Sequence, residues 1–173
     1  DGYTLLAHSI SFAVDAGLYS SLPYSPEKDF TAVAPFARQP FALVASPSLG
    51  VKSVADLVAR SRSAPLKFAS LGTTTQIYFI GEQFKKQAGF SATNASYKSL
   101  AEGNAAVAKG EAAFWFPPAA GAVAGIRDGK LIPLAVTGDK RMAMLPQVPT
   151  MAEAGVSGME SAAWFGMWAP SGV

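Results

Sequence analysis

"LKFASLGTTTQIYFIGEQFKKQAG", residues 66–89, reads as a strand, a turn and a helix in that order. The apolar run 66–70 ends in Ser70 and the chain turns at Gly72. Ile77, Ile80, Gly81, Phe84 and Ala88 then recur on one helical face from Thr75 to Ala88, with Gly89 as the stop. The arrangement returns in kind further on. A strand near 93–97 leads to a helix from Leu100 to Lys109 stopped by Gly110. A strand at 111–116 precedes a helix that Pro117 and Pro118 open and Gly129 ends, and 131–138 is a further strand. Upstream, residues 3–9 read as a strand and 18–35 as a loop-rich connection carrying Pro23 and Pro26. "FALVAS" (41–46) is a strand closed by Pro47, and Ser53 with Asp56 caps a helix running to about Arg62. Thr150 with Glu153 caps a short helix to Ala154, and 161–169 is the last strand. Alternation of this kind argues for an α/β fold with a largely parallel sheet.

Composition narrows the function classes. The chain has 173 residues, half of them apolar and 15% charged, enough for one good-sized core or two small lobes sharing a hinge. That apolar content excludes a disordered chain. Net charge is only +2 and the 14 basic residues are scattered, so no nucleic-acid partner is expected. Without cysteine there is neither a disulfide framework nor a thiolate metal site. No run approaches the ~18 apolar residues of a membrane span. "DGYTLLAHSI" carries no basic n-region or cleavage site, and it and "MWAPSGV" read as cuts within a longer protein.

In an open parallel sheet, ligands sit beyond the carboxyl ends of the strands, where helices begin. The helix opened by Thr75 points free N–H groups back at the turn, and its dipole favours an anion. Gly72 admits close backbone approach, while Ser70, Thr73, Thr74 and Thr75 add hydroxyl donors. The turn is therefore a candidate cradle for a small oxyanion. The plainer alternative is a Thr-rich helix cap with no ligand. No Gly-Lys-Ser/Thr follows the turn and no G-x-G-x-x-G occurs, so nucleotide loops are not indicated. Tyr97, Lys98 and Ser99 stand at the second strand–helix junction and make a two-sided anion site conceivable. Packing for Tyr97 and solvation for Lys98 are the alternatives.

Catalysis finds little support. His8 is the one histidine, no G-x-S-x-G elbow is present, and no carboxylate pair stands at strand ends. A hydrolase or transferase on an α/β sheet stays as the rival, as do a ligand-sensing receptor feeding a regulator and a binding-dead assembly module. No cofactor or metal is implied.

"DGYTLL" (1–6), "LPYSPEKDF" (22–30), "ASLGTTTQ" (69–76), "GEQFKKQAG" (81–89), "YKS" (97–99), "GKLIPLAVTGDKR" (129–141), "LPQVPTMAEAG" (145–155) and "WFGMWAPSG" (164–172) resemble the tripartite tricarboxylate transporter receptors, the Bug/TctC family, in order and spacing. The resemblance implies a type II periplasmic binding protein-like fold, α/β, with mainly one complete lobe plus part of the other. It places 1–34 in a partial first lobe, 35–168 in a second lobe with crossover strands at both ends, and 169–173 at the start of a return. It implies a periplasmic receptor, not an enzyme, that closes its lobes on a small organic carboxylate. Membrane transporter subunits are the implied partners. Exposed edges of a truncated lobe would invite self-association. By resemblance, the turn Ser70–Thr75 matches the family's carboxylate-binding turn and Tyr97–Ser99 its second contact, while Ser9 and Ser11, with His8, fall where the first lobe meets the cleft. The chain departs from the pattern at Thr74 and Ser99, where glycine is usual, at Tyr78, usually histidine, and at Pro117, often an acid. Tyr78, Trp115 and Phe116 are accordingly either an apolar pocket for an aromatic monocarboxylate or plain core packing.

Overall fold

The computed structural model describes residues 3–9 and 11–172. The chain divides into two compact units, residues 40–162 and residues 1–39 with 163–173.

The larger unit is built on a five-stranded sheet. Its strands are β3 (Ala42–Ala45), β4 (Leu66–Ser70), β5 (Ala92–Ser96), β6 (Phe114–Trp115) and β7 (Ile132–Val136), in the order β5-β4-β6-β3-β7. β4 pairs parallel with β5 and with β6, whereas β3 is antiparallel to both β6 and β7. Four strands thus share one direction and β3 alone opposes them. Every residue of β3 is buried, as an apolar run without alternation requires of a strand covered on both faces. Pro133 sits in β7 at the sheet edge, where a missing N–H is tolerated, and the register against β3 shifts beside it.

Helices α2 (Val54–Ser63), α3 (Gln76–Ala88), α4 (Leu100–Lys109) and α5 (Ala119–Arg127) connect these strands. The cap read from sequence at Ser53 forms as a physical contact, and Ser99, read only as a junction residue, caps α4 in the same way. Ser53 Oγ accepts from Asp56 N at 3.1 Å and Ser99 Oγ from Glu102 N at 3.2 Å. α3 ends at Gly89 and α4 at Gly110. α5 begins at Ala119 behind Pro118, which offers no side-chain cap. The core is aromatic: Phe84 meets Phe90, Phe114 and Phe116 edge to face, and Phe68 stacks on Phe114. On α4, Gly103 is required by close approach, since a Cβ there would stand 2.5 Å from the Trp115 ring.

The smaller unit holds β1 (Leu6–Ser9), α1 (Ser11–Leu18), β2 (Phe30–Pro40, whose last residue crosses the boundary) and β8 (Ala162–Pro170, whose first does). Its sheet order is β1-β8-β2. Phe12 of α1 gathers rings from Tyr24, Phe30 and Trp168 within 4.9–5.9 Å.

Several elements depart from the sequence reading. The 18–35 connection gives way to strand from Phe30 onward, and Pro35 is accommodated because β2 is an edge strand. Helix α1 occupies a stretch to which no element was assigned. β6 is two residues long instead of six, with Ala112 and Ala113 bonded to Ala106 O and Lys67 O. The expected helix after Thr150 is a single turn. Thr150 and Glu153 exchange both capping bonds, at 3.1 and 2.8 Å, but the chain reverses at Gly155 before a second turn forms.

Candidate functional site

Residues 70–77 form the junction between β4 and α3. Ser70 is fully buried, and its Oγ accepts from Gly72 N at 3.2 Å, which starts the turn. Gly72 has φ +104, a conformation that side chains with a Cβ rarely adopt. Thr75 closes the turn: its N–H and its hydroxyl both donate to Gly72 O, at 3.2 and 2.7 Å. The same hydroxyl accepts from Tyr78 N at 3.4 Å and caps α3.

What this leaves open is a row of backbone donors. The N–H groups of Thr73, Thr74, Gln76 and Ile77 find no acceptor among the described residues. Thr73 and Thr74 are exposed, and neither hydroxyl has a hydrogen-bond partner among the described residues. Four amides and two hydroxyls at the positive end of a 13-residue helix can replace the water around a small oxyanion.

The second junction lies alongside. Ser70 and Ser96 are register partners, and Tyr97 N donates to Ser70 O at 2.8 Å. Residues 97–99 and the turn therefore leave the carboxyl ends of two neighbouring parallel strands side by side. Burial, and secondarily the Glu111 carboxylate, raise the Tyr97 phenol above its ordinary pKa, so it stays protonated and able to donate. Lys98 is exposed, and its N–H is taken by Glu102 Oε2 at 3.1 Å. The Ser99 hydroxyl caps α4, which leaves only its proton for a ligand. A cavity of about 440 Å³ lined by Arg62, Pro65, Leu66, Ser91 and Thr93 lies at the opposite end of β4 from the turn.

The other candidates separate from this group. Phe116 is completely buried against Phe84 and Phe114, and Trp115 is completely buried as well. Both are core residues, so of the two alternatives read from sequence their burial favours core packing over a pocket wall. Tyr78 is partly exposed, packed against Phe68 and Phe79. Ser9 ends β1 and Ser11 opens α1 in the smaller unit, where the described residues do not include the side chain of Ser11. His8 packs its ring against Phe12 and pairs Nδ1 with Ser9 O at 3.3 Å. No group of three or more metal-ligating side chains occurs among the described residues. Sequence reasoning missed Gln76: its N–H belongs to the open row and its side chain reaches Ser161 Oγ and Ala162 O, at 3.0 and 3.2 Å. Only its place as the first residue after the cap marked it.

The model of the tripartite tricarboxylate transporter family receptors matches residues 1–173. A UPF0065 protein from the TAR-I ttuE-ttuC' intergenic region of Agrobacterium vitis is 30% identical, over 98% of this chain and 50% of its own length. Protein BugT of Bordetella pertussis is 31% identical, over 99% of this chain and 54% of its own. Among solved structures, R. palustris Rpa4515 with adipate is 35% identical with a TM-score of 0.89, covering 99% of this chain and 58% of that one. MatC from Rhodopseudomonas palustris with bound malate is 26% identical with a TM-score of 0.83, covering 99% and 60%. The chain spans about half the length of the curated relatives it matches. It belongs to the tripartite tricarboxylate transporter receptor family.

Proposed function

We propose that this chain is part of a periplasmic receptor that binds a small organic carboxylate and hands it to a membrane transporter of the tripartite tricarboxylate type. The observation that carries this reading is the row of open N–H groups at Thr73, Thr74, Gln76 and Ile77, flanked by two free threonine hydroxyls. A carboxylate accepts from such a row with both oxygens, and the α3 dipole adds a favourable field. The adipate and malate complexes of two relatives support the ligand class. Tyr97 and Ser99 contribute from the adjacent junction, and Lys98 supplies a nearby positive charge. Ser9 and Ser11 belong to the smaller unit, which we read as the partial first lobe, with the larger unit as the second. No helix among the described residues is long and apolar enough to cross a membrane.

Delivery to a transporter requires a protein partner, and the family description names one. The exposed edge strand β2, with Val33 and Phe36 open to solvent, additionally offers a pairing surface for a second copy. Light scattering across a concentration series reads this directly, and a constant monomer mass refutes it.

A thermal-shift panel of dicarboxylates, amino acids and aromatic acids tests the ligand class. A ligand at 100 times its dissociation constant adds about 2.7 kcal/mol. In a chain of this size that raises the Tm by roughly 5–10 °C. A panel without any shift removes the carboxylate site from this chain.

A further inference from the structure

Three glutamines of α3, at positions 76, 83 and 87, meet one stretch of chain. Gln83 Nε2 donates to Gly158 O at 2.5 Å. The Gln87 amide nitrogen stands 3.4 Å from where a Cβ on Gly158 would lie. Gln76 Nε2 donates to Ser161 Oγ at 3.0 Å and to Ala162 O at 3.2 Å. Since a backbone carbonyl can only accept, the nitrogen of the Gln76 amide must be the atom facing Ala162. Residues 158–162 are the stretch by which the chain leaves the larger unit, which ends at Ala162.

A second set of bonds extends this link. Ser161 N donates to Thr137 O at 2.9 Å, and Thr137 Oγ1 donates to Ser161 O at 2.5 Å. Thr137 is almost wholly buried, and its Oγ1 also accepts from Phe41 N at 2.9 Å. Thr137 N returns a bond to Phe41 O at 2.9 Å. Phe41 follows Pro40, the first residue of the larger unit. One line of hydrogen bonds thus runs from Gln76 through Ser161 and Thr137 to Phe41. It starts at a residue whose own N–H is in the open row and ends at both points where the chain passes between units.

We propose that Gln76 is a positioning residue that couples occupancy of the turn after β4 to the stretches by which the chain enters and leaves the larger unit. This rests on the carboxylate reading of the turn. An anion held by the amides of residues 73, 74, 76 and 77 fixes the backbone of Gln76. The side chain then holds Ser161 and Ala162 with less freedom, and Thr137 passes the restraint to Phe41. The coupling is an effect of ordering, which requires no large displacement.

Hydrogen exchange on the chain, with adipate and with malate as probes, tests this. In the wild type a bound probe slows exchange at 73–78, and at 159–163 it slows exchange about threefold or more, the scale of one net hydrogen bond. Gln76→Met keeps the side-chain length and removes the donor. At probe concentrations raised until the slowing at 73–78 saturates in this variant, the slowing at 159–163 is lost. Gln83→Ala, on the same helix but remote from the turn, retains both. A purely structural role alters exchange without probe but leaves the probe-dependent change in place. Full probe-dependent slowing at 159–163 in Gln76→Met overturns the proposal. Should that variant fail to fold, Ser161→Ala removes the Ser161 Oγ half of the link and leaves the bond to Ala162 O, so the slowing at 159–163 is reduced; undiminished slowing there overturns the proposal. Absence of slowing at 73–78 in the wild type with both probes is a different failure: it refutes the carboxylate reading and the coupling with it.

Discussion

Thr75→Val separates the structural work of the turn from its binding work. Valine keeps the β-branched shape and loses the hydroxyl, which donates to Gly72 O at 2.7 Å and accepts from Tyr78 N at 3.4 Å. The long cap bond puts its loss at about 0.5–1 kcal/mol, the lower part of the N-cap range. The short turn-closing bond contributes about 1 kcal/mol net. The sum is about 1.5–2 kcal/mol, which in a chain of this size lowers Tm by roughly 3–8 °C. Urea unfolding measures it as a lower midpoint at an unchanged slope. Thr73→Val and Thr74→Val provide the contrast. Both residues are exposed and their hydroxyls have no partner among the described residues, so each changes stability by less than about 0.5 kcal/mol. Each nevertheless weakens carboxylate binding about tenfold or more, the scale of a hydrogen bond to a charged group. Equal destabilisation by Thr73→Val and Thr75→Val would refute this division of labour. So would a Thr75→Val chain as stable as the wild type.

Gly72→Ala forces a Cβ into φ +104 with nothing within 4 Å of it, so the cost is conformational, about 1–2 kcal/mol, and is read as a shifted urea midpoint. Phe116→Ala empties a fully buried ring site and costs about 3–5 kcal/mol, while the rank order of carboxylates in the thermal-shift panel stays the same. Arg141, 2.8 Å from Glu153 Oε2, and then the Thr150 N–H hold the Glu153 carboxyl below its ordinary pKa of 4.5. Because the folded value lies below the unfolded one, this contribution is present above pH 4.5 and is lost as pH falls through the folded value. Urea midpoints of wild type and Glu153→Gln therefore differ near pH 6 and converge as the solution is acidified.

Much of the larger unit is legible in sequence because its signals are local. Ser53, Thr75 and Ser99 announce three helices, Gly89 and Gly110 stop two of them, and "LKFAS" can only be a short buried strand. Direction is not local: nothing within "FALVAS" says that β3 runs against the other four strands of its sheet. β2 is hidden because Pro23 and Pro26 carry the loop reading past Phe30, and only its edge position makes Pro35 acceptable within a strand. The candidate turn could be read because its donors are consecutive. The link from Gln76 to Ser161 could not, since 85 residues separate the partners. Phe116 shows another limit: an aromatic lining a pocket and one filling a core look alike in sequence, and burial decides between them.

Backbone amide NMR during a titration with adipate tests the central claim most directly. The account predicts saturable shifts that are largest at the N–H groups of Thr73, Thr74, Gln76 and Ile77, weaker at Tyr97–Ser99, and absent around Arg62 and Ser91 at the far end of β4. Saturable shifts centred elsewhere, with those four amides unmoved, would contradict it.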